Sequence, residues 1–374
     1  MLTNALVQVS NAAYLGPFFV CFLICLAVVT TRSLHLHRTS RRADTLSVQA
    51  THHTPTPRIG GVAIVSGIAL SWLMSSTGSV ALALLISVLP VFAAGLAEDL
   101  GWPISPRVRL GAAALSSLLA IALLGTWITR TDIAPLDSLI AFAPLGVVIT
   151  VIWAAGLSQS FNLIDGMNGL AAGTAIVISI GLWAIAARAG DTVIAIAALG
   201  VLAAVLGFLL FNWPFGKLFM GDAGAYALGH LLTWLSILLA ARNPDVSMLA
   251  VALPFAWPVF DVLFAIYRRF RLGHRIDQPD RLHFHQLVMR ELEIYGLGRH
   301  RRTLANPLTT LLLMPFIAAP VIGAVMFWND PLAAGLCGLA TIALYLMLYW
   351  VGVALARLKP ALALRRRATQ FPAE

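Results

Sequence analysis

Two short polar segments of this chain hold residue types that apolar surroundings tolerate only when something uses them. The first is Phe161-Asn162-Leu163-Ile164-Asp165-Gly166-Met167-Asn168-Gly169-Leu170, which sets two amides, a carboxylate and two glycines between strongly apolar stretches. The second is Phe219-Met220-Gly221-Asp222-Ala223-Gly224. Ionisable residues at the end of a membrane span are costly and mark function. Asn162, Asp165 and Asn168 stand at i, i+3 and i+6, a spacing that can put them on one side of a helical turn. Oxygen donors of this kind suit Mg²⁺, which prefers carboxylate, carbonyl and phosphate oxygens. The glycines permit close backbone approach to a ligand. The chemistry that fits is a metal-and-phosphate site at a membrane surface; the plainer alternative is a capped loop that opens the next span.

Further groups extend the pattern. Glu98-Asp99 is a pair of adjacent carboxylates, able to share a cation or to hold a proton at a raised pKa. Arg107 and Arg109 follow it and can hold an anion. Ahead of Asp222, Asn212 offers an amide and Phe219 a ring able to stack on a flat base. In Asp280-Arg281-Leu282-His283-Phe284-His285-Gln286, Arg281, His283 and His285 make a cluster of donors suited to a diphosphate. Zinc is a weak rival there, because no further Cys or His is well spaced, and attraction to anionic lipid is the broad alternative. Pro55-Thr56-Pro57-Arg58-Ile59-Gly60-Gly61 is a rigid prolyl turn with a cation and a glycine pair.

The elements that must position these residues are apolar. Of 374 residues, 59% are hydrophobic and 11% charged, against about 25% charged in soluble domains. That excludes a water-soluble globular enzyme. About eleven stretches are apolar enough to cross a hydrocarbon layer of roughly 30 Å, centred near residues 22, 68, 87, 118, 147, 179, 201, 232, 257, 318 and 343. Connections are short, so residues 1–374 are expected to form a single all-α integral membrane bundle. The run from Ala13 to Thr30 follows no basic residue and reads as a retained span. Cys21, Cys25 and Cys337 lie in apolar runs and imply no disulfide.

The formal charge of +9 is sorted by side. Of 25 Lys and Arg, 22 fall in loops 32–58, 98–109, 158–168, 212–222 and 268–306 and in the tail after 356. The positive-inside rule puts those loops in the cytoplasm, with the amino terminus periplasmic and the carboxyl terminus cytoplasmic. This distribution argues against nucleic acid as partner and puts the candidate residues on one cytoplasmic face. A transporter or flippase would carry more ionisable residues at mid-span; Asp261 comes closest and lies near Arg268, Arg269 and Arg271.

Taken together these motifs resemble the polyprenyl-phosphate N-acetylhexosamine-1-phosphate transferases, most closely the branches that initiate O-antigen or common-antigen synthesis. The likeness runs from the Pro-Thr-Pro-Arg-Ile-Gly-Gly turn to the His-Phe-His segment. It implies a bacterial inner-membrane enzyme that moves a sugar 1-phosphate from a UDP-N-acetylhexosamine, by default UDP-N-acetylglucosamine, to undecaprenyl phosphate with Mg²⁺, and it suggests a homodimer. By position it implies an acidic pair at Glu98 and Asp99, a central-motif carboxylate at Asp165, and metal ligands at Asn162 and Asp222. It also implies substrate contacts at Asn212, Phe219, Arg281, His283 and His285, and a lipid-phosphate contact at Asp99 with Arg107 or Arg109. Glu98, Asn168 and Gln286 stand where many members have Asp, Asp and His. A non-catalytic relative that binds lipid phosphate is the alternative these departures raise.

Overall fold

The computed structural model describes residues 11–39, 55–75, 77–271, 273 and 282–370. All its regular elements are helical: α1 (Asn11–Thr30), α2 (Arg32–Thr39), α3 (Gly60–Met74), α4 (Gly78–Ser87), α5 (Leu89–Asp99), α6 (Pro106–Leu124), α7 (Ala134–Ile140) and α8 (Ala143–Ile164). There follow α9 (Leu170–Ala189), α10 (Thr192–Asn212), α11 (Gly221–Arg242), α12 (Met248–Ala252), α13 (Ala256–Arg271), α14 (Phe284–Glu291), α15 (Arg302–Met326) and α16 (Pro331–Gln370).

Among the described residues, eight helical segments are long and apolar enough to cross a membrane, α12 and α13 counting as one, Met248–Arg271. The number rises to nine if α4 and α5, bent by 42°, form one span. The break falls at Val88, just ahead of Pro90, whose ring nitrogen has no N–H to continue the hydrogen-bond ladder of α4. The two remaining expected spans fall on the shorter helix α3 and on Leu15–Thr30. The protein is therefore a polytopic helical membrane protein. Residues 158–168, expected as a loop, are helical through Ile164, because the apolar pattern of α8 carries on past Ser160.

Helix α11 is the axis of the bundle. Every residue from Gly221 to Ala240 is buried, and α3, α5, α8 and α9 pack around it. At about 1.5 Å per residue its 22 residues span about 33 Å. Its first turn is reached through glycine. A methyl on Gly61 would lie 2.2 Å from the Gly224 nitrogen, and one on Gly95 would lie 2.5 Å from the Ala223 nitrogen. Helices α3 and α5 thus meet α11 backbone to backbone, as small residues allow in membrane bundles.

The packing at Gly61 generates an expectation. Gly61→Val should sharply lower the folded yield and melting temperature in detergent, whereas Gly111→Ala on α6, with nothing within 4 Å of the added carbon, should not. Thermal unfolding followed by circular dichroism measures both; a Gly61→Val chain as stable as the native one would refute the backbone contact.

Candidate active site

The two polar segments, far apart in sequence, meet at the start of α11. An extended crossing aligns them: Phe219 N–H donates to Pro57 O at 2.9 Å, Gly60 N–H to Phe219 O at 3.0 Å, and Gly61 N–H to Met220 O at 2.8 Å. The prolyl turn and the Phe-Met-Gly segment therefore form one paired unit. The first N–H groups of a helix have no intrahelical partner. Here Asp99 accepts from Asp222 N–H and Ala223 N–H, both at 2.9 Å, and Asp165 accepts from Gly221 N–H. Gly221 has φ 77°, and a methyl there would sit 2.0 Å from Arg58 O and 2.5 Å from Asp99 Oδ2. Only glycine satisfies both the backbone angle and the space.

Charge converges on the same point. Arg58 Nη2 lies 3.0 Å from Asp222 Oδ1, and its Nε 3.6 Å from Asp99 Oδ1. Arg109 Nη1 lies 3.0 Å from Glu98 Oε2 and 3.5 Å from Asp222 Oδ2. Glu98, Asp99, Asp165 and Asp222 thus share two guanidinium groups. Burial pushes the Asp165 carboxyl well above the usual carboxylate range; Asp222 and Asp99 add repulsion, while Arg58 and the Gly221 N–H oppose it. The Asn162 amide, in the last turn of α8, donates from Nδ2 to the hydroxyl of Tyr226 at 3.0 Å, which leaves its oxygen end for another partner.

Among the described residues no three His, Cys, Asp or Glu side chains form a ready metal cage. Mg²⁺ does not need one, since it commonly takes one or two carboxylates and completes its shell with water and substrate phosphate. The carboxylates of Asp222 and Asp165 and the amide oxygen of Asn162 are a donor set of that class.

Several of the other expected residues are engaged with backbone groups. Asp99, expected at the lipid phosphate, is fully buried with both oxygens on backbone N–H groups of α11. Its position is that of a support for Asp222. Arg107, the second residue of α6, is exposed, and Arg109 is the arginine that reaches the carboxylates, because a two-residue step turns a helical side chain by about 200°. Asn212 and Asn168 are buried locks. Asn212 Oδ1 accepts from Gly169 N–H at 2.6 Å and its Nδ2 donates to Leu218 O at 2.9 Å. Asn168 donates from Nδ2 to Pro214 O at 2.9 Å, while its own N–H reaches Asn306 Oδ1 at 2.8 Å. These amides hold segment 165–170 against segment 212–218 and α15. Phe219 is partly exposed beside the site. Arg281 lies outside the described residues.

The histidines are organised by a residue the motif does not contain. Asp261 on α13 is buried and accepts from His283 Nδ1 at 2.9 Å, Phe284 N–H at 2.9 Å and the Tyr345 hydroxyl at 2.9 Å. The His283 and His285 rings stack with centroids 5.7 Å apart. His283 Nε2 is buried and takes no hydrogen bond among the described residues. His285 Nε2 would lie 3.3 Å from a methyl on Gly166, so the histidine segment closes on the turn that carries Asp165. Asp261 stood out in the sequence only as an ionisable residue of its span; the 22 residues between it and His283 hid their pairing. Tyr226 was legible in principle, one helical turn past Asp222.

The chain has relatives among known proteins. The family model described as glycosyl transferase family 4 matches residues 81–240, a stretch that holds Glu98, Asp99, Asn162, Asp165 and Asp222. A probable undecaprenyl-phosphate N-acetylglucosaminyl 1-phosphate transferase of Bacillus subtilis is 28% identical, covering 83% of this chain and 85% of its own length. An undecaprenyl-phosphate alpha-N-acetylglucosaminyl 1-phosphate transferase of Yersinia pestis is 28% identical over 64% of this chain and 67% of its own. A phospho-N-acetylmuramoyl-pentapeptide-transferase of Latilactobacillus sakei is 31% identical over 62% of this chain and 75% of its own.

Burial also sets a pH response. His285 is lowered from 6.5 to about 4 by desolvation, against the pull of Asp261. Its folded pKa lies below its unfolded one, so the unfolded chain binds more protons between those values. The stability contributed by neutral His285 is present above about pH 6.5 and lost as pH falls toward 4. Melting temperature in detergent should fall over that window, and His285→Gln should flatten the fall; an equally steep profile in the variant would count against it.

Proposed function

Because this chain belongs to the polyprenyl-phosphate N-acetylhexosamine-1-phosphate transferase superfamily and is a phosphotransferase, we propose that it moves N-acetylglucosamine 1-phosphate from UDP-N-acetylglucosamine to undecaprenyl phosphate. An oxygen of the lipid phosphate forms a bond to the phosphorus next to the sugar. The bond from that phosphorus to the bridging oxygen breaks, and UMP leaves with that oxygen. The observation that carries this reading is the meeting of Asp222, Asp165 and Asn162 with Arg58 and Arg109 at the start of α11. The names of the Bacillus and Yersinia relatives support the sugar and the acceptor.

Phosphoryl transfer depends mainly on positioning and on charge stabilisation. Arg58 and Arg109 supply two guanidinium groups suited to phosphate oxygens. A phosphate monoester, with its second pKa near 6, is already largely ionised at neutral pH, so no base is required of Asp99, whose role is to hold the backbone of Asp222 in place. Asp222, Asn162 and Asp165 would hold Mg²⁺, which supplies charge neutralisation at the diphosphate. His283 Nε2 and His285, drawn against the Asp165 turn, are the groups we assign to the donor diphosphate, with Phe219 at the base. The site would face the cytoplasm of a bacterial inner membrane, which supplies the nucleotide, while the acceptor tail stays in lipid; the loop charges support this orientation. The branch resemblance supports a place at the start of O-antigen or common-antigen synthesis.

The test is transfer of radiolabel from a panel of UDP-2-acetamido sugars to undecaprenyl phosphate by purified protein. Labelled lipid should form with UDP-N-acetylglucosamine, UMP should appear in equal amount, and EDTA should abolish both. Asp222→Ala should lose transfer by about 100- to 1000-fold while still folding in the membrane, the scale of loss when charge stabilisation in a transition state is removed. Unchanged activity in that variant, or transfer that persists in EDTA, would refute the metal assignment. Labelling from a different sugar alone would correct the substrate.

A further inference from the structure

Tyr226 lies one helical turn beyond Asp222 on α11 and is fully buried. Its hydroxyl is the meeting point of two groups of the site that come from different helices. Asn162 on α8 donates to it at 3.0 Å, and the Arg109 guanidinium on α6 hydrogen bonds to it as well. Arg109 also bridges Glu98 and Asp222. A carboxamide has one accepting end and one donating end, and a hard cation takes only the oxygen. Whatever captures the NH₂ group therefore decides whether the amide is usable as a metal ligand. Groups that orient a ligand in this way typically change metal affinity by about 10- to 100-fold when removed.

We infer that Tyr226 is a positioning residue for the metal end of the site: its hydroxyl takes the NH₂ of Asn162 and so presents the amide oxygen. This rests on the transferase reading above. A phenylalanine keeps the buried ring and removes the hydroxyl, leaving the amide free to turn its nitrogen inward. A carboxylate at position 162 has oxygen at both ends, so the hydroxyl then has no orientation left to choose.

The experiment measures Mn²⁺ binding by electron paramagnetic resonance on purified protein in lipid nanodiscs, with no substrate present. The chains compared are the native protein, Tyr226→Phe, Asn162→Asp and the double variant, with transfer assayed in parallel against Mg²⁺ concentration. Tyr226→Phe should weaken Mn²⁺ binding by about tenfold and raise the Mg²⁺ needed for half-maximal transfer by a similar factor. On the Asn162→Asp background the same substitution should change Mn²⁺ affinity by less than about twofold. Native-like Mn²⁺ binding in Tyr226→Phe overturns the inference and leaves the transferase reading standing. So does an equal loss on both backgrounds, or a Tyr226→Phe chain that does not fold, since either marks a structural role. Native protein that transfers sugar phosphate yet binds no Mn²⁺ overturns the metal reading and this inference with it.

Discussion

The first turn of α11 sets a problem that much of the surrounding structure answers. Three successive peptide N–H groups, of Gly221, Asp222 and Ala223, stand inside the protein without helical acceptors. Asp165 takes the first and Asp99 the other two. An unmet buried donor costs about 1–3 kcal/mol, and the positive end of a helix favours anions, so carboxylates are the natural partners. Those partners must come from other helices, which forces α5 and the end of α8 to converge on one spot. Convergence at that range leaves no room for side chains, which is why glycines 61, 95 and 221 line the contact.

Once two carboxylates hold the turn, the third is committed. Asp222 is carried on the backbone that Asp99 grips, so its side chain stands where Arg58 and Arg109 reach it from α3's leading turn and from α6. Several carboxylates in so small a volume repel one another, and the two guanidinium groups offset this only in part. Burial first, and then repulsion from Asp222 and Asp99, raises the Asp165 carboxyl. A site in this state would suit a divalent cation and, through its arginines, phosphate, the combination that the proposed sugar-phosphate transfer asks of a protein.

The outer part of the site is built by the same rule with neutral groups. Buried amides at Asn168, Asn212 and Asn306 satisfy loop backbone that no secondary structure serves. Asp261 anchors His283, the Phe284 N–H and Tyr345 at once, fixing the histidine segment from below. Polar residues here divide into those that satisfy backbone and those left with an atom to offer. Asn162 and His283 belong to the second kind, and Asn168 to both, since its Oδ1 takes no hydrogen bond among the described residues.

Composition alone determined that this is a helical membrane protein, because 59% hydrophobic and 11% charged residues cannot fold as a soluble domain. The two acidic segments and their order also carried the family resemblance on which the proposed chemistry rests. What the sequence could not determine is which polar atoms face a ligand. Asp99 and Asn212 look as reactive on paper as Asp222 and Asn162, and Arg107 as able as Arg109. Tertiary structure separates them: both oxygens of Asp99 and both ends of Asn212 are taken by backbone, and the turn of α6 carries Arg107 away. It also supplied Tyr226 and Asp261, whose partners lie 64 and 22 residues away. Hydrogen bonding saturates: an atom already engaged has little left to give. Which atoms are engaged depends on contacts between helices that local pattern does not record.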